Sequence, residues 1–294
     1  MKKSPVSIRL VLLCLIFSTI ALTALAQKLP NVQKGSVLAP ATVKIDGKAT
    51  EWDNQFQAYN HATEIFYTVS NDNDNLYLTV QATEPEIINK IIGGGITFTV
   101  QKSGKKSDKD GISVTYPIFD KKNRPYLRSG NAPRRIQITA TSNGGGDVQV
   151  FKSGGEEPTV KIQGDSAMKA NNKKLNDNSK YIGVTGVKDI DTLISVYNED
   201  GIKAGESFDT KMAYTYELSI NLKHLGISVA DAAKFAYHLT INGSSMFNVT
   251  NIRTFGGPAG GAPSPELEAA MAKVNASGSS AATDFWGEYT LAKK

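Results

Sequence analysis

The chain has almost no cysteine: Cys14 is the single one among 294 residues. It lies in an N-terminal stretch that we expect to be removed, so the mature chain would form no internal disulfide. A secreted domain of this kind depends on its hydrophobic core alone. The 268 residues that remain (294 minus 26) are enough to bury a large core.

Long apolar runs are confined to the N-terminus. Basic residues precede an apolar stretch over residues 10–21, and residues 24–26 have the small-x-small pattern of a leader cleavage site. We predict that residues 1–26 are a signal peptide and that Gln27 begins a secreted or periplasmic protein. A retained membrane anchor is the alternative, although the apolar stretch is short for a span.

A large excess of one charge is also lacking. The formal net charge of +5 falls to +2 without the leader, because the leader carries three basic residues and no acidic one. The pI of about 9.0 is therefore partly a property of the leader. This balance is typical of an ordinary solvated surface and predicts no nucleic-acid partner.

Helical periodicity is rare, and alternation of apolar and polar residues recurs instead. Strands that bury only one face are typical of antiparallel sheets packed as a sandwich. We predict an all-β, two-sheet antiparallel β-sandwich as one domain over residues 43–294, after a lead-in segment over residues 27–42. The predicted strands lie at residues 63–69, 76–82, 96–100, 112–118, 135–140, 147–151, 159–162, 193–197, 214–222, 235–241 and 285–291.

One or two short helices accompany these strands. Residues 84–92 can form two turns that end at a glycine run, and residues 222–225 can form one more. Residues 264–274 (SPELEAAMAKV) have the clearest helical pattern, with a capping serine and a proline in the first turn. We expect residues 164–180 and the Gly-rich residues 255–263 to be mobile insertions.

The stretch KIDGKATEW, residues 44–52, begins a recognisable order of motifs. It is followed by a strand, an Asp/Asn turn and LYLTV, then by YELSINLKHLGI at residues 216–227, and finally by a strand that carries Trp286. This order resembles family 9 carbohydrate-binding modules and their relatives in the DOMON-like superfamily. The resemblance spans Val43 to Leu291 and implies a β-sandwich with a sugar site between aromatic rings.

The chain departs from that pattern because it has only two tryptophans. Trp52 falls on the opening motif, where we expect a structural, buried ring. Trp286 lies on the polar face of its strand beside Glu288, an arrangement that suits stacking on a sugar with hydrogen bonds around it. The alternative is a ring covered by the loop of residues 255–263. The predicted ligand-binding residues are Trp286, Glu288, Tyr126, Tyr197 and Phe255.

Sequence signatures of catalysis are lacking. There is no nucleophile elbow, phosphate-binding glycine loop or zinc helix. A hydrolase using two carboxylates stays an alternative, but the spacing of Glu84, Glu86 and Glu217 does not distinguish them from surface acids. We therefore predict that the protein is not an enzyme. We expect surface or capping roles for the three histidines, which are His61, His224 and His238.

The sequence offers candidate ligands for a calcium ion and for haem. Asp72 and Asp74 can supply oxygen ligands to a structural calcium ion, or they can form a hydrogen-bonded turn. Some DOMON relatives bind haem through Met and His, but no such pairing is evident here for the methionines Met168, Met212, Met246 and Met271. We predict no cofactor and leave a structural calcium ion open.

These observations favour a secreted, non-catalytic binding module with carbohydrate as its ligand. The alternative is an extracytoplasmic structural or protein-interaction protein without sugar binding. In that hypothesis, the loop of residues 255–263 and the helix of residues 264–274 contact another protein. The apolar stripe of that helix can equally pack on its own sandwich.

Overall fold

Alternating apolar residues place the strands in two antiparallel sheets that pack face to face. The computed structural model describes residues 28–119, 164–231, 233–243 and 281–293. One sheet has five strands in the order β1 (Ala58–Asn60), β2 (Ile65–Asn71), β3 (Asn75–Ala82), β9 (Tyr214–Asn221) and β8 (Ile202–Phe208). The other has six strands in the order β11 (Thr283–Thr290), β10 (Lys234–Ile241), β4 (Ile96–Gln101), β5 (Ile112–Ile118), β6 (Tyr181–Thr185) and β7 (Leu193–Ser195).

The core lies between the two sheets and confirms the predicted all-β sandwich. On β2, Ile65, Tyr67 and Val69 are fully buried, as their alternation predicts. Tyr237 on β10 reaches across from the other sheet, and its hydroxyl lies 3.1 Å from that of Tyr67. Several aromatic rings interlock around this pair, and Phe98 on β4 is one of them.

Short helices connect the strands at two predicted places. Helix α1 (Pro85–Gly94) has proline in its first turn and ends at Gly95, as the glycine run predicts. Helix α3 (Leu222–Leu225) is a single turn in which the Asn221 side chain accepts a hydrogen bond from the Lys223 N–H. Both predictions are confirmed.

Residues 164–180, expected to be a mobile insertion, mostly form helix α2 (Gly164–Asn178). Leu175 is fully buried, while Asn172 both donates to the Phe208 carbonyl (2.9 Å) and accepts from the Phe208 N–H (2.7 Å). A side-chain amide, that of Asn172, thus ties the helix to the edge strand β8. An apolar-periodicity argument does not detect a contact face of this kind.

The segment before residue 43 is part of the sandwich. Gln33 is buried, and its side-chain amide accepts from the Val69 N–H and donates to the Val69 carbonyl, both at 2.8 Å. Farther along, the hydroxyl of Tyr289 on β11 donates to the Val37 carbonyl at 3.0 Å. Residues 33–37 thus join β2 to β11 and close one side of the sandwich.

Some predictions lie outside the described residues. These are the leader, the strands at residues 135–140, 147–151 and 159–162, the loop of residues 255–263 and the helix of residues 264–274. Strands β1, β6 and β8 were not predicted, since each has fewer large apolar residues than its neighbours. Within the described ranges, none of the helices has the length and apolar character that crossing a membrane requires.

Candidate functional site

Trp286 lies on the outer face of the six-stranded sheet, as its place in the alternation predicts. Its neighbours Phe285 and Gly287 point to the buried side, and Trp286 itself is half-buried. On the adjacent strand β10, His238 is paired directly with Trp286. The two rings stack with their centroids 4.3 Å apart and an angle of 8° between their planes. The histidine thus covers one face of the indole.

Asp108 holds the imidazole of His238 beneath Trp286, and Asp284 lies near its other nitrogen. Its Nδ1 lies 2.8 Å from Oδ1 of Asp108, and its Nε2 lies 3.4 Å from Oδ1 of Asp284. The contact through Nδ1 is a hydrogen bond, whereas the buried Nε2 has no hydrogen-bond partner among the described residues. The imidazole that covers the indole is therefore held from one side, by Asp108.

Asp108 belongs to the lysine-rich tip between β4 and β5, which folds back onto this face. The side-chain amide of Gln101 donates to the carbonyls of Ser107 (3.2 Å) and Lys109 (2.7 Å). These bonds, with the contact from Asp108 to His238, anchor the tip on the sheet. Lys106 is consequently held close to β11.

Glu288, the second predicted ligand-binding residue, lies two positions after Trp286 on the same face. Its Oε2 accepts a hydrogen bond from Nζ of Lys234 at 2.9 Å. This bond and the charge of Lys234 lower the pKa of Glu288, and the nearby Lys106 acts in the same direction. Glu288 is therefore ionised near neutral pH and partly committed to Lys234.

A groove of about 630 Å³ runs between β11 and residues 30–36. Since β10 and His238 lie on one side of Trp286, the other side of the ring faces the edge of the sheet, where this groove lies. Its volume is in the range of small-ligand sites. We call it the Trp286 groove. Its lining includes Lys34, Lys106, Lys234, Trp286 and Glu288.

The structure brings together only two of the predicted ligand-binding residues, Trp286 and Glu288. Tyr197 is exposed and follows β7, which lies five strands away from β11 in the same sheet. At a strand spacing of about 4.8 Å, this corresponds to about 24 Å, so Tyr197 does not rim the Trp286 groove. Tyr126 and Phe255 lie outside the described residues.

Four other residues of the site were missed or left without a role. His238 was assigned to the outward face of its strand, but only the register of β10 against β11 shows that it faces Trp286. The lysines Lys34, Lys106 and Lys234 come from three separate parts of the chain. Only tertiary structure brings them to one groove, so no local sequence signal could have indicated them.

Glu217, one of the carboxylates considered for a hydrolase, is engaged by backbone N–H groups. Glu217 is buried on the outer face of the five-stranded sheet, where its Oε2 accepts from the backbone N–H groups of Asp46, Gly47 and Lys48. Burial raises the pKa of Glu217 to about 8, although these hydrogen bonds oppose the shift. Its contacts assign it a structural role, as the clamp of the KIDGKATEW turn.

Trp52, expected to be a buried structural ring, is half-buried in the 3₁₀ turn Thr50–Trp52 that follows this clamped segment. The turn begins two residues after Lys48, so the whole opening motif sits beside Glu217. This motif lies on the five-stranded sheet, whereas Trp286 belongs to the six-stranded sheet. The two tryptophans therefore do not form the facing pair that a sugar sandwich requires.

The possible calcium loop forms a hydrogen-bonded turn. Oδ1 of Asp72 accepts from the N–H groups of Asp74 (2.8 Å) and Asn75 (2.7 Å), and Oδ2 accepts from the Tyr77 hydroxyl (2.6 Å). Partial burial alone would raise the pKa of Asp72, but these bonds lower it below its ordinary value. Among the described residues, no cluster of three or more His, Cys, Asp or Glu is arranged to hold a metal ion.

The remaining histidines and methionines contact the protein itself. The ring of His61 meets that of Tyr59 edge-on at 4.9 Å, and Nε2 of His224 contacts the Asp200 carbonyl. Met168 and Met212 are partly buried against the core. Met246 and Met271 lie outside the described residues.

Comparison with known proteins adds no family assignment. No protein-family model matches the chain, and no curated protein matches it. The resemblance to family 9 carbohydrate-binding modules therefore stays a prediction.

Proposed function

We propose that this chain is a secreted, non-catalytic module that binds carbohydrate in the Trp286 groove. The observation that carries the proposal is the stack of Trp286 on His238, which holds an indole upright at the side of a groove. The face of an aromatic ring is electron-rich, so it attracts the weakly positive C–H groups of a sugar ring. A ring fixed in advance loses little conformational entropy when it binds.

The polar groups around Trp286 suit the rim of a sugar. Lys234 offers further N–H donors beyond its bond to Glu288, and Glu288 has a second oxygen that can accept from a hydroxyl. Hydroxyl groups on neighbouring carbons of a sugar require donors and acceptors of this kind, side by side. The groove therefore offers both the apolar face and the polar edge that carbohydrate recognition uses.

A glycan array with matched variants tests the proposal. We expect the purified chain to bind at least one glycan and Trp286→Ala to weaken that binding by about tenfold or more, because the stacking surface is removed. Tyr197→Ala is the control, since it removes an exposed ring about 24 Å away on the same sheet. An unchanged melting temperature for both variants shows that they fold.

Equal binding by the wild type and Trp286→Ala would contradict the assignment of the site. A folded wild type that binds no glycan would contradict the function itself. The second hypothesis, a protein-interaction role, would then be favoured by a different feature. Exposed side chains of Tyr181, Leu193 and Tyr197 lie together at the β6–β7 edge of the sheet.

A further inference from the structure

We propose that the ligand of the Trp286 groove is an acidic glycan, with a carboxylate or sulfate group placed between Lys34 and Lys106. This inference rests on the proposed function and specifies its substrate class.

The charges that line the Trp286 groove are mostly positive. Among the described residues that line the groove, three are lysines and one is acidic. Lys234 forms an ion pair with Glu288 at 2.9 Å, which neutralises both. Neither Lys34 nor Lys106 forms an ion pair within the described part of the chain. The titratable groups of its described walls therefore sum to a net charge of +2, with Glu288 as the single acidic group facing Lys234 and Lys106.

The three lysines of the groove come from separate parts of the chain. Lys34 comes from the segment along β11, Lys106 from the tip between β4 and β5, and Lys234 from β10. Like charges repel, and an anion bound among them offsets that repulsion. An acidic group bound between Lys34 and Lys106 would provide that offset.

The backbone next to Lys34 and that next to Lys106 are both anchored. Gln33, next to Lys34, is clamped to both backbone groups of Val69. Asp108, two residues after Lys106, is bonded to His238, the ring that supports Trp286. The backbone beside each cation and the ring that supports the indole are thus held by hydrogen bonds. A ligand that uses both the ring and an acidic group would find them already positioned.

The acidic group needs a sugar ring attached to it in order to use the whole site. A free inorganic anion would contact the lysines and leave the indole unused. Polygalacturonate and dextran sulfate present carboxylates and sulfates, respectively, on sugar chains. Methyl-esterified polygalacturonate and plain dextran are their neutral counterparts, so the pairs separate charge from sugar.

Affinity measurements with these four polymers test the inference. We expect an acidic polymer to bind at least about tenfold more tightly than its neutral counterpart. This preference should shrink as salt rises from about 20 to about 300 mM, because the screening length then falls about fourfold. The double variant Lys34→Gln/Lys106→Gln should lose about tenfold in affinity for the acidic polymer. Its control is Lys188→Gln/Lys211→Gln, which removes the same charge from two exposed lysines outside the groove.

The outcomes separate the inference from the function on which it rests. A preference for one acidic polymer, lost in the groove double variant and in Trp286→Ala but kept in the control, supports the inference and identifies carboxylate or sulfate as the group. Equal binding of acidic and neutral polymers, lost only in Trp286→Ala, overturns the acidic class and leaves the proposed function standing. Equal loss in both lysine pairs shows non-specific attraction and overturns the inference. No binding to any of the four polymers also overturns it, and the glycan array decides whether the proposed function falls as well.

Discussion

Oε2 of Glu217 accepts a hydrogen bond from the backbone N–H of Gly47 at 3.0 Å, which ties the opening motif to β9. The neighbouring N–H groups of Asp46 (3.1 Å) and Lys48 (3.3 Å) reach the same oxygen. Three successive N–H groups directed at one oxygen form an anion-binding concavity in the backbone. The Asp-Gly turn of KIDGKATEW is thus explained by a contact about 170 residues away in sequence.

Gly47 is required for this contact. Its φ is 77°, and a Cβ at this position would lie 2.2 Å from the backbone carbon of Glu206. Only glycine accepts this conformation without strain and allows so close an approach. The turn can therefore lie directly on the sheet, where the Glu217 carboxylate accepts its hydrogen bonds.

The first prediction concerns the two ways of changing Glu217. Glu217→Ala leaves the three N–H groups without their acceptor, so we expect a loss of about 1–3 kcal/mol in unfolding free energy. Glu217→Gln keeps an acceptor oxygen and removes the buried charge, so we expect it to be at least as stable as the wild type at pH 8. Urea unfolding of all three proteins checks this. A glutamine variant as unstable as the alanine variant would contradict it.

The sequence predicted the sandwich because nearly every core strand shows its own alternation. Ile65, Tyr67 and Val69 point inward as their spacing requires. By contrast, the outer face of the five-stranded sheet was expected to be solvated, yet Thr68, Thr79 and Glu217 are buried there. These side chains are covered by the segment that contains the KIDGKATEW turn. Its backbone is irregular, so its sequence shows no apolar periodicity that would predict the contact.

The Trp286 site was predicted only in part, because contacts between distant segments leave no local pattern in the sequence. The position of Trp286 on the polar face follows from alternation within one strand. Its partner His238, by contrast, depends on the register between two strands separated by more than 40 residues, which a single sequence does not specify. Tyr197 was chosen because it lies near a strand end, but the order of strands in the sheet separates it from Trp286.

A second prediction concerns Gly287, whose Cα faces the buried ring of Tyr237. A Cβ at residue 287 would lie 2.1 Å from Cζ of Tyr237, and that ring is fully buried. We expect Gly287→Ala to lower the unfolding free energy by about 1–3 kcal/mol through overpacking. Thermal denaturation checks this, with Gly35→Ala as a control because nothing lies within 4 Å of a Cβ there.

The double variant Gly287→Ala/Tyr237→Leu tests the cause. If the clash with the ring is responsible, the double variant should lose less unfolding free energy than the two single variants lose together. Strict additivity would show that Gly287 matters for another reason.

A third prediction concerns calcium. Both carboxylate oxygens of Asp72 are already engaged by N–H and O–H donors, so they are not arranged to face a cation. We expect the same melting temperature in the presence of calcium and of a chelator. Asp72→Asn should lower the melting temperature equally in both, because it weakens the turn and not an ion site. A stabilisation by calcium that disappears in Asp72→Asn would refute this interpretation of the loop.

The last prediction concerns pH and two buried carboxyl groups. Burial raises the pKa of Glu206 to about 7, although hydrogen bonds from the hydroxyls of Ser179 and Tyr214 oppose the shift, and burial raises that of Glu217 to about 8. The ordinary value for both is 4.5. Between pH 4.5 and these raised values, the folded protein keeps protons that the unfolded chain releases. The stability that these two groups contribute should therefore be fully present below pH 4.5, fall as pH rises towards 8, and level off above it.

Each proton contributes a slope of at most about 1.4 kcal/mol per pH unit within this window. Urea midpoints between pH 5 and 9 at constant ionic strength measure the slope. The double variant Glu206→Gln/Glu217→Gln should flatten it, because a neutral amide has no proton to release. It should also be more stable than the wild type at pH 8, while differing little from it at pH 5. A double variant that retained the wild-type slope would show that other groups cause the pH dependence.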